Sequence, residues 1–384
     1  MPGTYEEGQL NFETTSNSGN YKSVYIASDF VRLGSAAAIA ATKIDADGEE
    51  YLIHINGSNT STIQGFTLTG QVGGSDWEGA LLRLNNGASL TFKDLMISGN
   101  VRHQSYSPEA QIMNVRYNSH PVFENVVFKS NGNTNLESRQ IAFIYSNASA
   151  TFTNCKWENN YVWEQIVRVQ NNSHATFENN LFLGNGSGDW GIVAVEASNC
   201  SVVFSNSTIV DNVRNGSYPL LGFSGSNNSM YFHNSILGNS GNANTQIRNN
   251  TNTSNSFIIR NSVLPFGTNG ATYPNKLNWD DDGSNVFADP QLNASGTLKS
   301  ISPAIGLGSS QPFVFEGNTY SVPSNDLAGT VRPVPAGSSV DAGAYESALG
   351  LGDFDILLSQ CGYLLEATVL NSNAYTVEWL FNGS

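Results

Sequence analysis

Charge is scarce in this sequence. Only 13 % of its 384 residues are Asp, Glu, Lys or Arg, against about 25 % in an ordinary soluble domain. Cations are scarcest of all: 17 Lys and Arg stand against 32 Asp and Glu, seven of the cations are Lys, and the net charge is −15. Nucleic-acid binding through phosphates needs a cationic surface, so that class of partner is excluded. Cysteine is also rare. Cys155, Cys200 and Cys361 cannot build a disulfide framework, and none lies in a CxxC pair or near paired histidines, so they read as free thiols. No run of 18 apolar residues exists, which excludes a membrane-spanning helix. The first residues, MPGTYEEGQLNF, lack a cationic and apolar leader. A cytoplasmic protein, a processed form and a cut chain all fit that beginning.

What is abundant is asparagine, with 48 residues, and glycine, with 37. Both are poor helix formers, so a helical protein is excluded. With 39 % hydrophobic and 11 % aromatic residues the chain can still build a core, which argues against disorder. The asparagines recur in a pattern. FKDLMISGN from Phe92, FENVVFKSN from Phe123, FTNCKWENN from Phe152, FENNLFLGN from Phe177 and FSNSTIVDN from Phe204 are variants of one unit. Weaker copies are IQGFTLTGQ from Ile63, FHNSILGNS from Phe232 and IRNSVLPFG from Ile259. Successive anchors lie 29, 31, 29, 25, 27, 28 and 27 residues apart. The common form is an apolar anchor, Asn two later, an apolar residue five later and often Asn eight later.

Each anchor ends an earlier half-unit, such as IAFIYSNASATF or IVRVQNNSHATF. The apolar alternation marks a strand, an Asn/Ser turn, a second strand, an Asn corner and a third strand. Three short strands in roughly 27 residues form one coil of a parallel β-solenoid. About eight coils at ~4.8 Å each predict a rod roughly 38 Å long. At a sharp corner the backbone enters the left-handed region, which Asn tolerates. Stacked in register, Asp94, Asn125, Asn154, Asn179, Asn206, Asn234 and Asn261 should form a ladder of side-chain hydrogen bonds in a buried corner. Phe92, Phe123, Phe152, Phe177, Phe204 and Phe232 should form an aromatic column inside.

The repeats resemble the right-handed parallel β-helix proteins, whose relatives include pectate-lyase-like polysaccharide enzymes and many surface proteins. The resemblance covers about Ile53 to Leu264 and implies an all-β, single-stranded solenoid. Further on, NVFADPQL (285–292), SPAIG (302–306), DLAGTVRP (326–333) and VDAGAYE (340–346) occur in order. This series resembles the closing region of secreted bacterial β-helix proteins called choice-of-anchor Q proteins. The implied layout is an N-terminal cap over 1–50 with one short helix in the Ala-rich stretch, coils over 51–270, and closing coils and cap over 271–350. Within the closing region Asp326, Arg332 and Asp341 are expected to form a capping ion network. Residues 351–384 alternate like the first strands of an immunoglobulin-like or PKD-like module, and stopping in the third strand fits either a fragment of a longer surface protein or a truncated gene. The implied location is secreted or at a bacterial cell surface.

Function in a solenoid lies on outer faces and loops. An acidic position precedes the first strand of successive coils, at Glu78, Glu109, Glu137 and Glu164, and more loosely at Asp189, with Trp77, Trp163 and Trp190 beside three of them. On the strand itself Arg83 and Arg168 share a register, with Arg116, Tyr145, Gln170 and Glu196 two residues along. Aromatic faces stack on sugar rings, while carboxylates and guanidinium groups bond hydroxyls or uronates. One reading of this face is therefore a groove for a polysaccharide or cell-surface glycan. Another is a loop edge where Trp covers the core and Glu pairs with Arg. An enzyme reading needs two carboxylates about 5–9.5 Å apart, drawn from Glu78, Glu109, Glu137 and Glu164. A lyase needs instead a base and a group that neutralises uronate, for which Arg116, Arg168 and the register-sharing His120 and His174 are the candidates. The paired Asp-Asp and His-Gly motifs of pectate lyases and polygalacturonases are missing. No cofactor is implied, apart from Ca²⁺ at the acidic turn of Asp280 and Asp282, which reads first as a solvated loop. An adhesion or glycan-contacting module is the leading expectation, ahead of a polysaccharide lyase or glycosidase, with a self-associating stalk or filament subunit third.

Overall fold

The computed structural model describes residues 52–71, 80–101, 111–133, 138–188, 191–214, 220–238, 247–249, 254–265 and 277–347, together with Ile39, 42–46 and a few short strands near either end. The chain is an all-β parallel solenoid. Its strands stack into three long sheets of nine, ten and eleven strands. One coil shows the plan: Gln140–Tyr145 lies in sheet I, Ser149–Thr153 in sheet II and Lys156–Glu158 in sheet III. Each strand pairs in parallel with its counterpart one repeat away. Gly3–Glu6 and Thr42–Asp45 extend sheet III, Leu10–Glu13 extends sheet I and Ile26–Ala27 extends sheet II. The helix expected in the Ala-rich stretch falls, Ile39 aside, outside the described residues.

The register places anchor on anchor. Phe92, Phe123, Phe152, Phe177, Phe204 and Phe232 are direct partners along sheet II and fully buried. The first five rings stack at centroid distances of 4.8, 4.9, 5.1 and 4.9 Å, and Phe232 tilts against Phe204 at 4.6 Å. The spacing is set by the backbone, because adjacent strands lie about 4.8 Å apart. A second column, Phe128, Trp157 and Phe182, projects inward from sheet III at 4.0 and 5.2 Å. It meets the first column edge-on, as at Phe152 and Trp157. Buried side chains of this size are worth about 3–5 kcal/mol each on truncation, so the two columns are the spine of the fold.

The corner two residues after each anchor is left-handed throughout, with φ between 48° and 61° at Asp94, Asn125, Asn154, Asn179, Asn206, Asn234 and Asn261. Among themselves its side chains bond in pairs. Asn125 Nδ2 donates to Asp94 Oδ1 at 2.9 Å, Asn179 Nδ2 to Asn154 Oδ1 at 2.7 Å, and Asn234 Nδ2 to Asn206 Oδ1 at 3.5 Å. Asn125 is exposed, whereas Asn179, Asn206 and Asn234 are buried. The continuous ladder stands instead at the position eight after the anchor. Asn100, Asn131, Asn160, Asn185 and Asn212 are buried, and each Nδ2 in turn donates to the next Oδ1 at 3.0, 3.0, 2.8 and 2.9 Å. Each Oδ1 also accepts the preceding rung's backbone N–H, as from Asn131 to Asn160 at 3.1 Å. Each Nδ2 closes on a backbone carbonyl as well, such as Phe128 O for Asn160 at 2.9 Å. Inward-pointing amides thus satisfy the backbone groups that the turn leaves unpaired.

The closing region lies along the flank of the rod. Ala304 and Ala342 cover Ile236 and Val263 on sheet III, and Ala344 and Tyr345 cover Leu181 and Val210. A hairpin of Phe313–Phe315 and Asn318–Tyr320, turning through Glu316 and Gly317 at positive φ, packs on Val203 and Tyr231 of sheet II. Corner asparagines grip this strap by its backbone. Asn234 accepts from Ser309 N–H and donates to Ser309 O, both at 2.8 Å, and Asn179 and Asn261 donate to Asn325 O and Leu307 O. Gly343 is required here, since a Cβ would sit 2.6 Å from Ile236 Cδ1 and its φ is 99°.

The expected ion network has a different centre. Arg332 pairs with Glu346, both side chains being almost fully buried, and donates to Asn179 Oδ1 at 3.0 Å and Gly343 O at 2.9 Å. Asp341 and Asp326 accept backbone N–H groups instead: Gly306 and Ser347 for Asp341, Ala328, Thr330 and Glu346 for Asp326. Burial pushes Asp341 up to about 7, and burial also lowers Arg332 against the pull of Glu346. In the tail, Ile356–Cys361 and Leu364–Val369 form an antiparallel pair.

Candidate functional site

Sheet I has its outer face built from alternate residues of successive coils. One row, in direct register, is His54, Arg83, Asn114, Phe143, Arg168 and Ala194. The row two residues along is Arg116, Tyr145, Gln170 and Glu196. These are the positions the repeat spacing pairs, and the parallel ladder makes them neighbours because alternate side chains share a face. Trp77, Glu78, Glu109, Glu137 and Trp190 lie outside the described residues, as does Asp189.

The described part of the face is a chain of mutual contacts. Glu164 pairs with Arg139 and, at 3.4 Å, with Arg168; Arg168 reaches Glu196 at 2.6 Å. Gln140 donates to Glu164, and Gln165 Nε2 to Glu196 Oε1 at 2.9 Å. The guanidinium of Arg168 lies over the Phe143 ring at 5.1 Å, and that of Arg139 over Trp163 at the same distance. Phe143 and Tyr145 stack at 5.3 Å, and Tyr145 meets Tyr117 edge-on at 6.2 Å. Arg116 is buried to 2 % exposure, with its Nε donated to Asn114 Oδ1 at 2.7 Å. Trp163 and Tyr117, at 36 % and 40 %, are the exposed aromatics of the patch.

Chemically, Glu164 and Glu196 each already have a guanidinium on them, and Arg83 and Arg116 add positive charge to the same rows. The described residues of this face offer ring surfaces at Trp163 and Tyr117 and hydrogen-bonding edges beside them. Sequence reasoning found Arg168, Glu164, Glu196, Tyr145 and Trp163, and missed Arg139, Phe143 and Tyr117. Phe143 was legible as an apolar residue at an outward position of its strand. Arg139 sits in the loop before the strand, where no periodicity applies.

The other candidates have local partners. His120 and His174 each share a hydrogen bond through Nδ1 with a serine hydroxyl, of Ser149 at 2.8 Å and Ser201 at 2.6 Å. Asp280 and Asp282 pair with Arg260 at 2.9 and 3.3 Å, and Asp282 also accepts from Ser284 N–H at 3.0 Å. Calcium at that turn would have to displace the guanidinium. Among the described residues no group of three or more His, Cys, Asp or Glu is placed to hold a metal, and no helix is long and apolar enough to cross a membrane. Cys155 and Cys200 are buried free thiols, and desolvation pushes them up to about 12 and about 11, so neither is a nucleophile at neutral pH. No family model, curated protein or solved structure matches the chain.

Proposed function

We propose that the outer face of sheet I contacts glycans, and that the chain is an extracellular adhesion or glycan-contacting module of a bacterial surface or secreted protein. The carrying observation is the in-register row of Tyr145, Gln170 and Glu196 beside Arg168, flanked by the exposed rings of Trp163 and Tyr117; Asn114, Phe143 and Arg116 of the same rows are buried and are not counted as contacts. A repeating polymer is read well by a repeating face, and stacked rings with amide and carboxylate edges suit sugar planes and hydroxyls. Because Arg168 is shared by Glu164 and Glu196, the face suits neutral sugars better than uronates. The same pairing weighs against Glu164 as a glycosidase carboxylate and Arg168 as a lyase base, since such groups must be free to move protons. The resemblance of the closing motifs to choice-of-anchor Q proteins, and of the tail to an immunoglobulin-like module, supports the surface location.

The test is a polysaccharide panel scored for retention and for new unsaturated or reducing ends. Retention without product, weakened roughly fivefold by Trp163→Ala or Tyr145→Ala, is the expected result and matches the worth of one aromatic contact. Product from any polymer assigns an enzyme and overturns the proposal. Absence of retention on every glycan assigns a structural stalk and overturns it too.

A further inference from the structure

The first outward position of each sheet III strand forms one column down the rod: Thr67, Met96, Val127, Lys156, Leu181, Thr208, Ile236 and Val263 are successive register partners. Two stretches of this column are covered. Thr67, at 2 % exposure, donates its hydroxyl to Ile39 O at 2.9 Å. Leu181, Thr208, Ile236 and Val263, all at 1 % or less, lie under the strap, whose Ala344 N–H bonds Thr208 Oγ1 at 2.9 Å. Between them Met96, Val127 and Lys156 are only half-buried. They face a groove of about 430 Å³ bounded by Ile39 at one end and by Leu327 of the strap at the other.

The groove continues the bed of the strap, on the same column and beside the same corner. Where the strap lies, corner asparagines hold its backbone, most completely at Asn234 and Ser309. Beside the groove the corner residues are Asp94, Asn125 and Asn154. Asn125 gives its Nδ2 to Asp94, and Asn154 Oδ1 takes the Nδ2 of Asn179, which leaves Asn125 Oδ1 as an acceptor and Asn154 Nδ2 as a donor toward a new backbone. Three rungs at about 4.8 Å span about 14 Å, the length of roughly four extended residues.

We propose that this groove docks an extended peptide of a partner protein, carrying small and aliphatic side chains, in the manner in which the rod binds its own strap. The apolar floor takes one or two aliphatic side chains, and the corner amides pair with the peptide's backbone N–H and C=O. The occupant is a peptide rather than a glycan because the floor has no aromatic platform and because polypeptide is what the adjoining rungs hold. This inference is independent of the reading of sheet I.

The probe is a fluorescent nine-residue peptide copying residues 303–311, PAIGLGSSQ, followed by anisotropy on the full chain. Saturable binding is expected, weakened at least tenfold by Val127→Lys and by Met96→Lys, and unchanged by Val314→Lys on the exposed hairpin. Circular dichroism and the melting temperature of each variant verify the fold, and the two groove variants serve as checks on each other. Absence of saturable binding overturns the proposal, as does binding that survives both groove substitutions, which would mean displacement of the strap. Light scattering on the unlabelled protein gives the other arm: dimers abolished by Val127→Lys would assign the groove to a second copy of the chain and overturn the partner reading.

Discussion

The two halves of the rod differ on the flank formed by sheets II and III. In the coil from Phe123 the third strand reads Val127, Phe128, Lys129, with only the middle residue buried. In the coil from Phe204 the corresponding Thr208, Ile209 and Val210 are all buried, and so is every residue of the preceding strand, Ser201–Ser205. The backbone is the same in both. What differs is that the later coils carry the strap, whereas on the earlier ones Met96, Val127 and Lys156 are only half-buried. On this flank, loss of alternation along a strand therefore marks where the strap covers the outer face.

The largest effect should come from unfastening the strap. Arg332→Ala strips the buried Glu346 of its guanidinium partner and Asn179 of a donor. Breaking a buried pair in this way costs about 3–5 kcal/mol. Chemical denaturation should show that loss, and limited proteolysis should cut within 288–347 before the coils. Equal protection of strap and coils would show that the two flanks melt together and that the comparison has no energetic content.

Acid and base should act on the strapped flank in opposite directions. His233 lies under the ring of Phe313 at 4.3 Å, and burial, helped by Arg260, pushes it down to about 4. The unfolded chain takes that proton near 6.5, so stability falls as pH drops from about 6.5 to about 4, by on the order of 3 kcal/mol in all. Asp341, held up to about 7 by burial, behaves in the reverse sense. Folded protein keeps its proton after unfolded protein has released it, so stability falls as pH rises from about 4 to about 7. The slopes oppose each other in the native protein. His233→Phe should expose the Asp341 slope, so that the melting temperature of this variant declines from pH 4.5 to pH 7. A flat profile in that variant would show that Asp341 does not titrate in this range.

Much of this was legible in the residues. The anchors at Phe92 to Phe232 and the Asn two later set the coil, and the register followed because identical residues stack best on themselves. The rows of sheet I were legible for the same reason, down to Arg168 beside Glu196. Which asparagine is buried was not legible, because Asn125 and Asn131 look alike until the corner and the core turn are told apart in space. The strap was half legible. Its motifs were visible, but its bed was written in Tyr231, Val203 and Ile236, outward positions that read as ordinary strand residues. Arg332's true partner, Glu346, stood inside the VDAGAYE motif without a spacing to single it out.

The two asparagine positions give the smaller tests. Asn160→Ala, in the continuous ladder, removes the acceptor of Asn131 N–H and the donor to Phe128 O in a dry turn. Unsatisfied buried groups cost about 1–3 kcal/mol each, so a loss of about 2–3 kcal/mol is expected in equilibrium unfolding. Asn125 differs, since it is exposed and its φ of 55° is open to glycine without strain. Asn125→Gly gives up one solvent-facing bond to Asp94 and should change stability by no more than about 0.5 kcal/mol. Asn125→Ala should cost about 1–2 kcal/mol, because an alanine side chain resists the left-handed corner. If glycine and alanine cost the same at Asn125, the side-chain bond holds that corner. If only alanine costs, Asn125 is there for its backbone, unlike the buried amides eight residues after the anchor, whose side chains bind coil to coil.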